Sequence, residues 1–155
     1  MSYRSDIHDE IVSILGNISK TNGYVNNINL VTKKIEDIET LSTFPTLSVI
    51  AGSQSYQIID EQEKLYSVKS SFVVIGYVKS DTDTNNGAIL SQDCDDLLND
   101  IKQCILLNDE TIFDNTEALE IKLQNDTAIY DFDNNIATVM LSFEATYNEV
   151  GILPN

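Results

Sequence analysis

From Ile136 to Tyr147 apolar and polar residues alternate: Ala137, Val139, Leu141, Phe143, Ala145 and Tyr147 share one parity, and Thr138, Ser142, Glu144 and Thr146 the other. A period of two sends successive side chains to opposite faces of a strand, so this segment is a strand with one buried face. A half-buried strand cannot stand alone. It requires partner strands beside it and a layer above its apolar face.

The partners are legible upstream. Thr46 to Ala51 alternates and follows Pro45, whose missing donor is tolerated at a strand entry. Ser55–Ile59 and Leu65–Lys79 read as antiparallel strands joined by Asp60-Glu61-Gln62-Glu63-Lys64. The second contains Phe72, Val73, Val74, Ile75, Tyr77 and Val78, which are apolar on both parities. That composition suits a central strand covered on both sides, a neighbouring subunit being one candidate cover. Leu119, Ile121 and Leu123 alternate with Glu120, Lys122 and Gln124, and Ala128, Tyr130 and Phe132 alternate before a turn at Asn134-Asn135.

Two helices supply the layer. Ile7, Ile11, Ile14 and Ile18 recur at helical spacing between about Ser5 and Lys20, with a stop at Asn22-Gly23. Leu90, Cys94, Leu97, Leu98, Ile101 and Ile105 form a second stripe within a helix from about Leu90 to Leu106. Asp93, Asp95, Asp96, Asp100 and Lys102 are expected on its solvated face. Ile28 to Val31 reads as a short strand or turn, Lys33 to Leu41 as irregular, and Ser80 to Gly87 as a polar loop. The expected fold is α+β: a mostly antiparallel sheet of four to six strands with two amphipathic helices on one face. Residues 1–155 form one domain, with 148–155 a short C-terminal tail.

Charge and chemistry narrow the function. Nine Lys and Arg stand against 25 Asp and Glu, a formal charge of −16. Such a surface repels phosphate backbones and anionic lipid. Met1-Ser2-Tyr3-Arg4-Ser5-Asp6 lacks the apolar core of a signal peptide, and no apolar run approaches a membrane span, so a soluble protein made in a cytoplasm is expected. Cys94 and Cys104 lie roughly 15 Å apart along one helix, beyond disulfide reach, and read as small buried hydrophobes. His8, the one histidine, reads as a solvated helix residue with no partner for a triad. Asp81-Thr82-Asp83-Thr84-Asn85-Asn86-Gly87 begins like a calcium loop, but Asn86 stands where glycine is needed and Gln92 where the bidentate glutamate is needed. A solvated loop accounts for it, with weak cation binding the alternative. Nothing in the sequence composes a nucleophile, a phosphate loop or a paired acid and base, so no enzyme and no cofactor are expected. Seven tyrosines in a chain without tryptophan suit either half-buried strands or an interface.

The order of these patterns resembles the tail terminator (minor tail protein U-like) proteins of long-tailed bacteriophages. An N-terminal amphipathic helix precedes Phe44-Pro45-Thr46-Leu47-Ser48-Val49, followed by Gly52 and Tyr56. Then come Ser71-Phe72-Val73-Val74-Ile75-Gly76-Tyr77, an acidic helix, a short hairpin and Leu141-Ser142-Phe143-Glu144-Ala145-Thr146-Tyr147. The resemblance spans nearly the whole chain and rests on residue types. It implies a hexameric ring in the virion that caps the tail tube and ends its polymerisation. The ring's partners are the tail tube protein and a head-side connector or stopper, and DNA passes through the lumen without specific binding. On that reading Asp60, Glu61 and Glu63 at the hairpin tip are candidate lumen or axial charges. Tyr56, Ile58 and Tyr66 are candidate subunit contacts, and Ile152, Leu153 and Pro154 a candidate docking tail. Another head-tail neck or completion protein shares these traits. An acidic secretion-effector chaperone shares the size and charge, although such chaperones usually finish on a helix.

Overall fold

The computed structural model describes residues 2–81 and 87–151. The first helix, α1 (Tyr3–Leu15), starts where the Ser2 hydroxyl accepts the Ser5 N–H at 3.1 Å. It buries Ile7, Ile11, Ile14 and Leu15 as the spacing predicts. It ends at Gly16, before the expected Lys20; Ile18 stays buried, its carbonyl accepting Ile28 N–H at 2.9 Å. A 3-10 turn at Lys20–Asn22 then closes on Gly23 at φ 93°.

Five strands form one sheet. β1 (Leu30–Thr32) runs parallel to β2 (Thr46–Asp60); β3 (Leu65–Lys79), β4 (Glu120–Asp131) and β5 (Ile136–Val150) complete the order β1-β2-β3-β5-β4. Every pairing apart from β1–β2 is antiparallel. The class and the sheet agree with expectation. β2 differs in detail: the two segments read as separate strands form one strand of 15 residues. A bulge between Ala51 and Gln54, at Gly52-Ser53 opposite Ser71, joins them. Bulges bend a strand without ending it, which is why the glycine and serine looked like a break.

β5 also outruns its expected end. Its ladder with β3 continues to Leu65↔Val150, and Gly151 N–H donates to Lys64 O at 2.9 Å. Residues 148–150 therefore belong to the sheet, not to a tail. The β4–β5 hairpin turns where expected, with Asp131 accepting Asn134 N–H and Asn134 Nδ2, and Asn135 at φ 53°.

The second helix, α2 (Ala88–Leu107), lies with α1 over the inner face of the sheet. A short third helix, α3 (Asp109–Asn115), had no clear signal, because Ile112 is the single residue it buries fully. Phe72 and Phe143 stack at 5.4 Å between the central strands, and Val74, Val139, Leu141, Leu97 and Ile101 surround them.

The outer face has two halves. Around Ile75 and Tyr77 the chain's own segment 33–44 covers it: Glu36 N–H donates to the Tyr77 hydroxyl at 2.9 Å, and Ser48 Oγ lies 3.3 Å from it. The upper half of the central strand is thus covered by the chain's own segment, where a neighbouring subunit was one candidate cover. The lower half is open and polar, with Lys69 beside Thr146 and Lys122 opposite Glu144.

Candidate assembly surface

The β2–β3 hairpin leaves the helical layer. Thr46, Leu47, Ser48 and Val49 are buried, whereas Gly52, Ser53 and Ser55 to Ile59 are exposed. Tyr3, the first residue of α1, meets Tyr147 edge-on at 5.7 Å, and Arg4 Nη1 donates to Gly52 O at 3.1 Å. Below that level the strands β2, β3 and β5 continue as a three-stranded arm.

The arm brings Tyr56, Ile58 and Tyr66 together. Ile58 pairs directly with Tyr66, and the Tyr56 and Tyr66 rings meet edge-on at 6.5 Å. Tyr56 and Ile58 are 51% and 54% exposed, so this apolar cluster is built but not covered by the described residues. A polar network fixes its base: Gln54 Nε2 donates to Ser70 Oγ at 2.8 Å and to the Tyr147 hydroxyl at 2.6 Å, and the Tyr56 hydroxyl donates to Gln54 Oε1 at 3.1 Å. Burial pushes the Tyr147 hydroxyl's pKa up, so it stays neutral.

The acidic tip divides in two. Asp60 Oδ1 accepts Gln62 N–H at 3.0 Å and Glu63 N–H at 3.2 Å, which makes it the residue that shapes the turn. Glu61 and Glu63 are exposed at the tip. Ile152, Leu153 and Pro154, and residues 82–86 of the calcium-like loop, lie outside the described residues.

Several side chains differ from their expected roles. His8 is partly buried: Nε2 donates to Val49 O at 2.7 Å and the ring tilts against Phe72 at 5.8 Å. Asp100 is 2% exposed instead of solvated. It accepts Val25 N–H at 3.1 Å, Asn26 N–H at 2.8 Å and Asn26 Nδ2 at 2.8 Å, so a buried carboxylate pins the loop after the 3-10 turn. Its position three residues beyond Leu97 and four before Cys104 marks it as inward facing. Cys94 and Cys104 are buried free thiols, both pushed to about 11 by burial first. Cys104 Sγ also donates to Ile14 O at 3.3 Å. Of the tyrosines, Tyr77 and Tyr147 are buried, while Tyr56 is the one standing clear.

Other exposed apolar residues are spread over the molecule, with Ile35 and Leu107 the most exposed, and some lie on or beside the arm and the far edge. Ile59 and Val150 flank the tip, and Leu119, Ile129 and Phe132 lie along β4 or its ends. Among the described residues no group of three or more His, Cys, Asp or Glu could hold a metal ion. Among them, too, no helix is long and apolar enough to cross a membrane.

No family model matches the chain, and no curated protein matches it. One chain of a solved structure, described as the virion of a native gene transfer agent (GTA) particle, is similar to it. The TM-score is 0.42 at 8% identity, over 94% of each chain. A likeness at that level carries no function across.

Proposed function

We propose that this protein is a structural component of a virion, and within that class a tail terminator. It forms a hexameric ring that caps the tail tube, ends its polymerisation and offers a docking face to the head-side connector or stopper. The observation that carries this reading is the arm. A chain that builds an ordered cluster of Tyr56, Ile58 and Tyr66 on rigid strands, and leaves it uncovered, is organised for contact with another polypeptide. The strand and helix order that resembles the terminators supports the finer assignment.

In this reading DNA traverses the lumen without being gripped. The chain's net charge of −16 opposes adhesion to phosphate. Glu61 and Glu63 are the exposed carboxylates of the tip that face the lumen or the tube axis.

The test adds purified protein to tubes assembled from the tail tube protein of the same virus. Rings at one tube end and arrested elongation are expected. Tubes that elongate as before, with bare ends, would overturn the assignment.

A further inference from the structure

From Thr40 to Ile59 the sequence carries no charged residue, in a chain with 25 acidic and nine basic ones. Much of that stretch is β2, and β2 is largely an open edge. β1 covers it only at Thr46, Leu47 and Ser48. Next along, His8 donates to the carbonyl of Val49 and Arg4 to that of Gly52, so α1 caps the edge for one further turn of the ladder. The protection stops there. From Gln54 to Ile58, between the bulge at Gly52-Ser53 and the register shift at Ile59, the strand carries no Lys, no Pro and, among the described residues, no covering element, which are usual devices that keep an edge from pairing.

The other long free edge of the same sheet is β4, at the opposite side. Through the registers of β3 and β5, Gln54 is level with Ile121. Leu119 N–H donates to Thr146 O at 2.7 Å, so the chain already lies along β5 one step before β4, close to the level of Tyr56. Leu119 is 62% exposed. The strand directions alternate from β2 through β3 and β5 to β4, so β2 and β4 run oppositely. Copies related by rotation about an axis along the strands therefore bring β4 of one beside β2 of the next in antiparallel pairing. That contact joins two different edges, and such head-to-tail contacts close into a ring when the rotation between copies divides a full turn.

We propose that Ser53–Ile59 of one copy pairs with the Leu119 end of β4 in a second copy, continuing the sheet from subunit to subunit. The occupant is another copy because of charge. Like copies of so acidic a chain repel over most of their surface, and the uncharged strand is where they can meet without opposing carboxylates. A basic foreign partner would instead favour the acidic surfaces. This inference rests on the ring reading above and specifies its subunit contact.

Hydrogen exchange of the wild-type protein, below and above its association concentration, tests it together with the double variant Gln57→Lys, Ile59→Lys. Both positions are exposed, and lysine on an edge opposes pairing. Assembly should slow exchange in both 53–59 and 116–122, the segments that the registers place level with each other, and the variant should associate at least about tenfold more weakly with an unchanged circular-dichroism spectrum. Assembly that leaves either segment unprotected, or a variant that assembles like the wild type, would overturn the edge pairing while leaving the ring intact. A wild-type chain that stays single at every concentration would also overturn it. The tube-end assay then decides the function separately.

Discussion

Gly76 sits where α2 comes closest to the sheet: a Cβ there would lie 2.7 Å from both Leu97 Cδ2 and Val139 Cγ2. Both are buried side chains held by the core, so relief requires a shift of helix or strand. Gly76→Ala should lower stability by about 1–3 kcal/mol, read as a lower urea midpoint at unchanged slope. Asp100→Ala should cost about 1–3 kcal/mol, because it takes the acceptor from the part-buried N–H groups of Val25 and Asn26. Asp100 was legible in the sequence as one of four helical aspartates. Its spacing from Leu97 and Cys104 places it on the inward face, unlike Asp95, but no spacing within the helix reports that a loop 75 positions away supplies its partners. The thiols carry a pH signature. Their folded values, about 11, stand above the ordinary 9.0, so the unfolded chain loses these protons first. Their contribution is therefore complete below pH 9 and declines as pH rises towards 11, and thermal melts across that window should show the fall. At neutral pH neither thiol should react with a maleimide until the protein is unfolded.

The arm is where element-level reasoning succeeded and also fell short. Alternation located β3 and β5, and the residues Tyr56, Ile58 and Tyr66 do converge on one face of a hairpin. The bulge at Gly52-Ser53 hid the continuity of β2, and the charged, aperiodic segment from Lys33 gave no hint that it would shelter Tyr77. Both misses have one cause. Periodicity reports which face of an element is apolar, not which distant segment arrives to cover it. The double variant Tyr56→Ser, Ile58→Ser separates folding from assembly. Since both side chains are about half exposed, the melting curve should shift by less than the equivalent of about 1 kcal/mol, while association is lost. A variant that unfolds instead would place the cluster in the monomer's core and remove it as a contact surface.

At the scale of the whole molecule, self-assembly must overcome the repulsion between chains of charge −16. The range of that repulsion falls from ~30 Å at 0.01 M salt to ~8 Å at 0.15 M. Association driven by apolar and ladder contacts should therefore strengthen with salt, the opposite of an interface held by ion pairs. The ion pairs among the described residues, Lys33 with Asp9, Lys34 with Glu36 and Lys102 with Asp126, lie within the chain, and nine basic residues against 25 acidic ones leave the surface predominantly negative. The measurement that bears most directly on the account is the solution mass by light scattering, taken over a range of protein concentration and at low and moderate salt. The account predicts a cooperative step to a closed particle of six times 17.3 kDa, reached at lower protein concentration as salt rises. A single-chain mass, or a dimer indifferent to concentration and salt, would contradict it.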